Sequence, residues 1–438
     1  MLSPMTSPVA PRAAPAGWLL LTAILLSVAH GLGLGLPRAL PGAVFWCAGL
    51  LLVPRVSGLQ RTQTLLMLLV GLAGLAYAAL TGGGAQLEKA LSTNQALLAM
   101  LAGVTFLRLI SLPEADAGEP DPHGRGALWR TLLGVHLFGS VINLSAVMII
   151  GDRQSRRRPL DPLQASVLSR GFALAAHWSP FFAAMGIALS NAPGSQLLTL
   201  SMVGLPLAAI GLLVSGWRLS RSPQAAGFVG YPMHFGALWI PGLLAAMVML
   251  MHRWQPDVPI LTFISALSVG LTLAVLLARH AVADAIARFA AHVRDGLPRM
   301  SGELALFLAA GVLAAGIGSA VQSAGWTLDL PRFGATEASV ALLLMVALSA
   351  AGVHPVISIA TAHGILTPLN PDPNLMGITY LMTWAAGVSS SPFSGMHLAM
   401  HGRFGIDSRG FLRWNGPFVL FMLGVYVATL HLYEAWWG

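Results

Sequence analysis

Two short strings, each present twice, carry the residues best suited to chemistry in this chain of 438 residues. A Gly-Val-His tripeptide ends at His136 and again at His354, and a Ser-Pro-Phe string begins at Ser179 and again at Ser391. The histidine precedes the serine by 43 residues in the first copy and by 37 in the second. An imidazole titrates at about pH 6.5, so it can supply conditional positive charge for an anion or carry a proton. The shared order and similar spacing indicate an internal repeat.

The prolines of these strings, Pro180 and Pro392, fall in the middle of the apolar runs 165–191 and 374–400. A proline inside a helix removes a hydrogen bond and clashes with the preceding turn, at a cost of about 3 kcal/mol or more. We therefore predict that both runs are broken helices. A broken helix exposes N–H groups, which attract anions, and C=O groups, which attract cations.

The candidates for substrate binding are the polar side chains near the repeated strings, together with the first proline. They are His136, Ser140, Asn143, Ser179, Pro180, His354, Ser358, Thr361, Ser390, Ser391 and Ser394. The candidates for coupling to an ion gradient are His136, His354, His363 and His397. No Asp or Glu lies in the middle of an apolar run. Hydroxyls, amides, backbone dipoles and imidazoles are therefore left to bind a charged cargo.

The sequence predicts no metal site and no cofactor. His397 and His401 are four residues apart, as two metal ligands on one helix face would be, but no HExxH motif accompanies them. The single cysteine, Cys47, excludes an internal disulfide and a cysteine-based metal site. Na⁺ and H⁺ remain the candidate coupling ions.

The composition excludes a water-soluble protein. The chain is 56% hydrophobic and 9% charged, whereas soluble domains carry about 25% charged residues. Its mean hydropathy is +0.74. The net charge of +8 comes almost wholly from arginine, which we attribute to cytoplasmic loops and not to nucleic-acid binding.

Eleven apolar runs are predicted to cross the membrane, where about 20 residues make one crossing. They are 18–36, 43–53, 62–81, 92–112, 165–191, 195–216, 233–252, 258–278, 301–322, 374–400 and 413–437. Arginine-rich connections belong on the cytoplasmic side. Two cytoplasmic connections must be separated by an even number of membrane crossings. The other runs already supply an even number, so segments 127–151 and 336–366 must each enter and leave the membrane on the same side. We therefore predict that both are re-entrant hairpins. The alternative is that each is an ordinary span and one loop breaks the charge rule.

The repeat is predicted to run in opposite directions, because 165–191 starts at an arginine-rich connection and 374–400 ends at one. The fold predicted is therefore an all-α polytopic membrane protein with two inverted repeats, each holding one hairpin and one broken helix. Its divisions are a tail with a retained first helix at 1–42, repeat 1 at 43–216, a cytoplasmic linker at 217–232 and repeat 2 at 233–438. The N-terminus is expected in the cytoplasm and the C-terminus outside.

Two charged features complete this prediction. Arg170 lies one or two turns inside its run, and we expect its side chain to snorkel to the membrane surface. The alternative is that it attracts an anion. The segment 280–299 has apolar residues near helical spacing with charges between them, which predicts an amphipathic helix on the cytoplasmic surface.

This layout resembles the ion transporter superfamily, and in plan it is most similar to the divalent anion/sodium symporters. The resemblance implies an elevator-type carrier, usually a homodimer, in a bacterial inner membrane. The hairpins read LGVHLFGSVINLSAV and AGVHPVISIATAHGI, without the Ser-Asn-Thr tips of the dicarboxylate symporters. Only the roles of hairpin tip and broken helix therefore carry over, to 134–145, 179–185, 352–363 and 389–397.

The function expected from the sequence is secondary active transport of a small anion, such as an organic carboxylate, coupled to Na⁺ or H⁺. The expected partners are that anion, membrane lipid and a second copy of the chain. A cation/proton antiporter is the alternative within transport, although such carriers use mid-span carboxylates. An integral-membrane enzyme is a further alternative, but the spans contain no DxxxD, HExxH or GxSxG motif.

Overall fold

The computed structural model describes residues 13–84, 86–111, 119–156, 158–325 and 332–437, and the first twelve residues of the predicted tail lie outside them. The described chain is helical, and its only extended pairing is an isolated bridge between His123 and Val229. Its α-helices are α1 (Ala13–Gly31), α2 (Ala39–Leu52), α3 (Gly58–Leu80), α4 (Leu87–Ser92), α5 (Gln95–Val104), α6 (Arg108–Ser111), α7 (Gly124–Ile142), α8 (Leu144–Gln154), α9 (Pro162–Leu174), α10 (Ala183–Asn191), α11 (Leu197–Ser220), α12 (Trp239–Trp254), α13 (Ile260–Arg279), α14 (Val282–Ala291), α15 (Ser301–Ser323), α16 (Ala335–Ala350), α17 (Pro355–Leu366), α18 (Pro373–Ser390), α19 (Gly395–Phe404) and α20 (Gly410–Trp437).

Seven helical segments in the described chain are long and apolar enough to cross a membrane. Shorter apolar helices accompany them, including α2 with 14 residues and α12 with 16. The predicted class, an all-α polytopic membrane protein, is confirmed. The number of crossings and the inverted direction of the repeats stay predictions.

The chain divides into two compact units. Unit 1 comprises Met1–Ile110 and Leu243–Ser319, and unit 2 comprises Ser111–Gly242 and Ala320–Gly438. Each unit therefore contains one part of each predicted repeat. The division predicted from the sequence follows the two repeats and does not group their parts in this way. Every predicted site residue belongs to unit 2.

An unusually long helical segment begins in unit 1. Val282–Ser323 is continuous over 42 residues, so the predicted amphipathic helix at 280–299 runs directly into the next span. A π-helical turn at His292–Gly296 and a 3₁₀ turn at Leu297–Met300 carry the chain past Pro298. The proline is tolerated because it stands in the first turn of the 3₁₀ segment, where its missing N–H is not needed.

Unit 2 is built around α18, whose residues from Leu375 to Ser390 are all buried. α9, α10, α11, α16, α17 and α20 pack against it. Here the predicted linker at 217–232 is well bonded: the Val229 carbonyl accepts hydrogen bonds from Gln154 Nε2 at 2.8 Å and from Gln164 Nε2 at 3.1 Å. Because Gln154 ends α8 and Gln164 begins α9, the linker fastens these two helices at one point.

Candidate functional site

Unit 2 has a helix break inside each of the four segments that the sequence singled out. α7 and α8 are separated by Asn143, and α9 with its 3₁₀ extension is separated from α10 by residues 178–182. In the predicted second repeat, residues 351–354 separate α16 from α17, and residues 391–394 separate α18 from α19. These breaks are the places where backbone groups become available for binding.

The two Ser-Pro-Phe strings fold into the same turn. The Ser179 carbonyl accepts a hydrogen bond from the Phe182 N–H at 3.3 Å, and the Ser391 carbonyl accepts one from the Ser394 N–H at 3.2 Å. Each serine hydroxyl also accepts a bond from the N–H two residues later, at 3.2 Å and 3.3 Å. The proline stands at the second position of the turn, where its fixed φ is favourable.

The first hairpin tip and the first Ser-Pro turn are joined by hydrogen bonds. Asn143 has a φ of 52°, in the left-handed region that non-glycine residues rarely adopt, and its Nδ2 donates to the Phe181 carbonyl at 3.1 Å. The Ser179 hydroxyl donates to the Ser140 carbonyl. The Ser140 hydroxyl itself donates to the Leu137 carbonyl at 2.8 Å. Ser140, Asn143, Ser179 and Pro180 thus form one cluster, which we call the first break.

His136 links the same hairpin to the same break in its neutral form. Its Nε2 accepts a hydrogen bond from the Trp178 indole N–H at 3.1 Å, so that nitrogen carries no proton. Its Nδ1 lies 3.2 Å from the Gly171 carbonyl, to which it must donate. Protonation would break the bond from Trp178, so the contacts of His136 favour a structural role over ion coupling.

The second break, residues 391–394 with the tip at 351–354, is formed differently. The His354 Nδ1 accepts a hydrogen bond from the Val356 N–H at 3.2 Å, and its ring lies edge-on to Trp384 at 5.5 Å. The Ser394 hydroxyl accepts a bond from the His397 N–H at 3.3 Å. The Ser390 hydroxyl is turned back onto its own helix, 2.8 Å from the Ala386 carbonyl.

Three predicted residues lie along α17, away from its tip. Ser358, Thr361 and His363 follow His354 by about one, two and two and a half turns. Ser358 donates to the Pro355 carbonyl at 3.0 Å. His363 Nδ1 lies 3.3 Å from the Thr367 hydroxyl, near the far end of the helix.

A buried polar network adjoins the second break, and sequence reasoning missed two of its members, Ser169 and Asn415. The His397 Nδ1 donates to the Ser391 carbonyl at 2.7 Å, and its Nε2 lies 2.8 Å from the Ser169 hydroxyl. Asn415 Nδ2 donates to the same hydroxyl at 3.1 Å. The His397 ring is stacked on Phe411 at 3.7 Å.

Arg170 completes this network and does not snorkel as the sequence led us to expect. It is 5% exposed. Its Nε donates to Asn415 Oδ1 at 2.9 Å, its terminal nitrogen donates to the Trp414 carbonyl at 2.7 Å, and its guanidinium lies over the Phe418 ring at 4.8 Å. In the described chain no carboxylate forms an ion pair with it. The residue that could have indicated a buried Arg170 is Asn415, an amide near the start of the last predicted span.

The two breaks lie at different levels along α18. His177, just before the first break, lines a small cavity with Ile378 and Met382, whereas Ser169 meets the second break through His397. Met382 and Ser391 are separated by about 13 Å of helix. The hydrogen bonds described above therefore group predicted residues into two clusters, one at each break.

The helices that leave the two breaks differ in how they begin. At α8 and α10, the N-cap side chains, those of Asn143 and Phe182, accept no hydrogen bond from the first turn. At α17 and α19, the His354 and Ser394 side chains each accept one. The first break therefore presents two helix N-termini whose first N–H groups have no partner in the N-cap side chain.

Two described carboxylates of unit 2, Asp152 and Asp121, form ion pairs with arginines. Arg403 donates to Asp152 at 2.6 Å, and this hydrogen bond raises the pKa of the guanidinium above its usual range. Arg153 donates to Asp121 at 2.8 Å. Among the described residues no group of three or more His, Cys, Asp or Glu could hold a metal ion.

Comparisons with known proteins found similarity among solved structures. No family model and no curated protein matches the chain. Among solved structures, it is similar to the crystal structure of the Alcanivorax borkumensis YdaH transporter, described as having an unusual topology. The TM-score is 0.40 and the sequence identity 15%, over 96% of this chain and 98% of that one.

Proposed function

We propose that this protein is a secondary active transporter that binds a small anion at the first break of unit 2. The observation that supports this most directly is the meeting of two helix N-termini without side-chain caps, α8 and α10, bridged by the hydrogen bond from Asn143 to Phe181. A helix N-terminus carries about half a unit of positive charge and free N–H groups. Two at one place suit an anion such as a carboxylate.

The setting strengthens the case for an external ligand. A backbone N–H without a partner at membrane depth costs several kcal/mol, so such groups occur where a cavity or ligand meets them. Leu144, Ser145 and Ala183, the first residues of the two helices, are only partly buried, whereas Ser179 and Phe181 beside them are buried. An anion reaching these N–H groups would exchange its water for fixed donors.

The charge of unit 2 favours an anion over a cation. Arg170 is a buried positive charge whose described partners are an amide, a carbonyl and an aromatic ring. A cation/proton antiporter would need the opposite arrangement, with carboxylates in the interior. This difference is our reason for preferring anion transport.

Coupling to Na⁺ or H⁺, an elevator movement and a homodimer belong to the same proposal, and the resemblance of the layout to ion transporters supports them. Among the histidines proposed for coupling, His354 fits best, because it is partly exposed and protonation of its Nδ1 would release α17 from its cap. We place the protein in a bacterial inner membrane, with the N-terminus in the cytoplasm and the C-terminus outside.

Uptake into proteoliposomes tests the proposal. We expect accumulation of a labelled carboxylate from a panel of acetate, succinate, glutamate and benzoate when an inward Na⁺ or H⁺ gradient is imposed. Collapse of both gradients should abolish accumulation. Uptake that ignores both gradients, or no uptake across the panel by protein that is folded and inserted, would contradict secondary anion transport.

A further inference from the structure

Unit 1 contains a narrow cleft that plays no part in the proposed anion site. It lies where α2, the junction between α4 and α5, and α15 meet. Asn94 and Gln95, 5% and 7% exposed, line it from the junction. We propose that this cleft is a binding site for a monovalent cation, with Na⁺ as the best fit.

The two side-chain oxygens of the cleft have no donor. Asn94 Oδ1 and Gln95 Oε1 are both buried without a hydrogen-bond partner among the described residues. The Asn94 amide cannot turn around to solve this, because its Nδ2 donates to the Phe307 carbonyl at 2.7 Å. A buried acceptor without a partner destabilises the fold. Two such oxygens at one cleft indicate a ligand that offers only positive charge or donors.

Two residues with backbone oxygens at a helix end, Ala90 and Leu91, also line the cleft. α4 ends at Ser92, so the carbonyls of its last turn, those of Ala90 and Leu91, have no helical partner. Gly42 and Gly311 allow α2 and α15 to come close to these carbonyls: a Cβ at Gly42 would overlap the Leu91 oxygen, and one at Gly311 would lie 3.5 Å from the Ala90 oxygen. The carbonyl end of a helix is its negative end and attracts cations.

The size and charge of the cleft select the ion. The cleft is too narrow to hold a water molecule. A Na⁺ ion without its water shell is smaller, because the distance from Na⁺ to a ligand oxygen is shorter than the distance between a water oxygen and its hydrogen-bond partner. All the groups named are neutral oxygens, and Ca²⁺ or Mg²⁺ sites are built with carboxylates. Neutral oxygens in a tight cleft therefore fit a monovalent ion.

The test is a thermal unfolding measurement on the full-length protein in detergent, with NaCl replaced by choline chloride at equal ionic strength. Wild type should melt about 2 °C higher in saturating NaCl. Gln95→Met removes one oxygen at similar volume and should abolish that rise. Ser268→Ala is the matched control, since it removes another partnerless buried oxygen of unit 1 outside the cleft and should preserve it.

A second variant keeps the test decisive if Gln95→Met does not fold. Gln95→Glu places a full negative charge in the cleft, so it should melt below wild type in choline chloride and regain stability in NaCl, with half-saturation at about tenfold lower Na⁺. The cleft is no cation site if wild type shows no NaCl effect, if Gln95→Met retains it, or if Gln95→Glu does not respond to Na⁺. These readouts do not involve uptake, so failure of the anion proposal would leave them unchanged.

Discussion

The two breaks of unit 2 have the same turn, but the helices that follow the two turns differ in whether a side chain caps them. Both begin with Ser-Pro-Phe and close the same hydrogen bonds at Ser179 and Ser391. The next residue is Phe182 in the first break and Ser394 in the second, and only the serine hydroxyl can accept a bond from the following helix. One residue after a shared turn thus decides whether the following helix start is capped by a side chain.

The two hairpin tips also differ in whether a side chain caps the helix that follows. The first tip turns within a single residue, Asn143, whose side chain points across to Phe181 and not to its own helix. The second tip uses four residues, with Gly352 at a φ of 109° and His354 as the cap of α17. A tip whose only polar side chain is engaged elsewhere leaves its helix start uncapped.

The largest difference between the two breaks is expected when a carboxylate is placed at the first residue after each of them. Ala183→Asp should lower anion uptake at least about tenfold, because the new carboxylate takes the N–H groups proposed for the substrate. Gly395→Asp, its counterpart on the already capped α19, should change uptake less than about twofold. Uptake of a labelled carboxylate at equal protein per liposome measures both. Equal losses in the two variants would remove the functional difference between the breaks.

Substitution of His354 separates capping from coupling. His354→Ala should lower the free energy of unfolding by about 1 kcal/mol through loss of the α17 cap. His354→Asn, which can cap, should restore that stability but flatten the pH dependence of uptake. A pH profile identical to wild type in His354→Asn would leave the histidine as a cap alone.

Loss of the α19 cap should affect stability and leave transport nearly intact. Ser394→Ala should lower the free energy of unfolding by about 1 kcal/mol, measured by chemical unfolding in detergent. Ser390→Ala is the matched control, because that hydroxyl bonds within its own helix, and it should cost less than about 0.5 kcal/mol. If the free energy of unfolding falls equally in both variants, the hydrogen bond from the Ser394 cap makes no specific contribution to stability.

The smallest effect is expected at the ion pair that joins α8 to the end of α19. Asp152→Asn should cost no more than about 0.5 kcal/mol, and less at high salt, because Arg403 is exposed. Asp121→Asn should cost at least about twice as much, since its partner Arg153 is buried. The comparison of the two variants in low and high salt is the measurement, and an equal, salt-insensitive loss would contradict it.

The sequence predicted the backbone better than the side chains. Pro180 and Pro392 located two helix breaks, because the effect of proline on a helix is local. The partners of Arg170 were not predictable in that way, since Asn415 lies 245 residues further along the chain and is brought close only by packing. The same limit applies to the caps: Ser394 was singled out as a ligand, although its hydroxyl accepts from the first turn of α19.

The single carbonyl of Val229 has a mechanical consequence for the first hairpin. Gln154 and Gln164 both donate to it, so α8 cannot slide past α9 without giving up at least one of the two hydrogen bonds. A displacement of α8 relative to α9 therefore costs about 1 kcal/mol for each of these bonds that is lost.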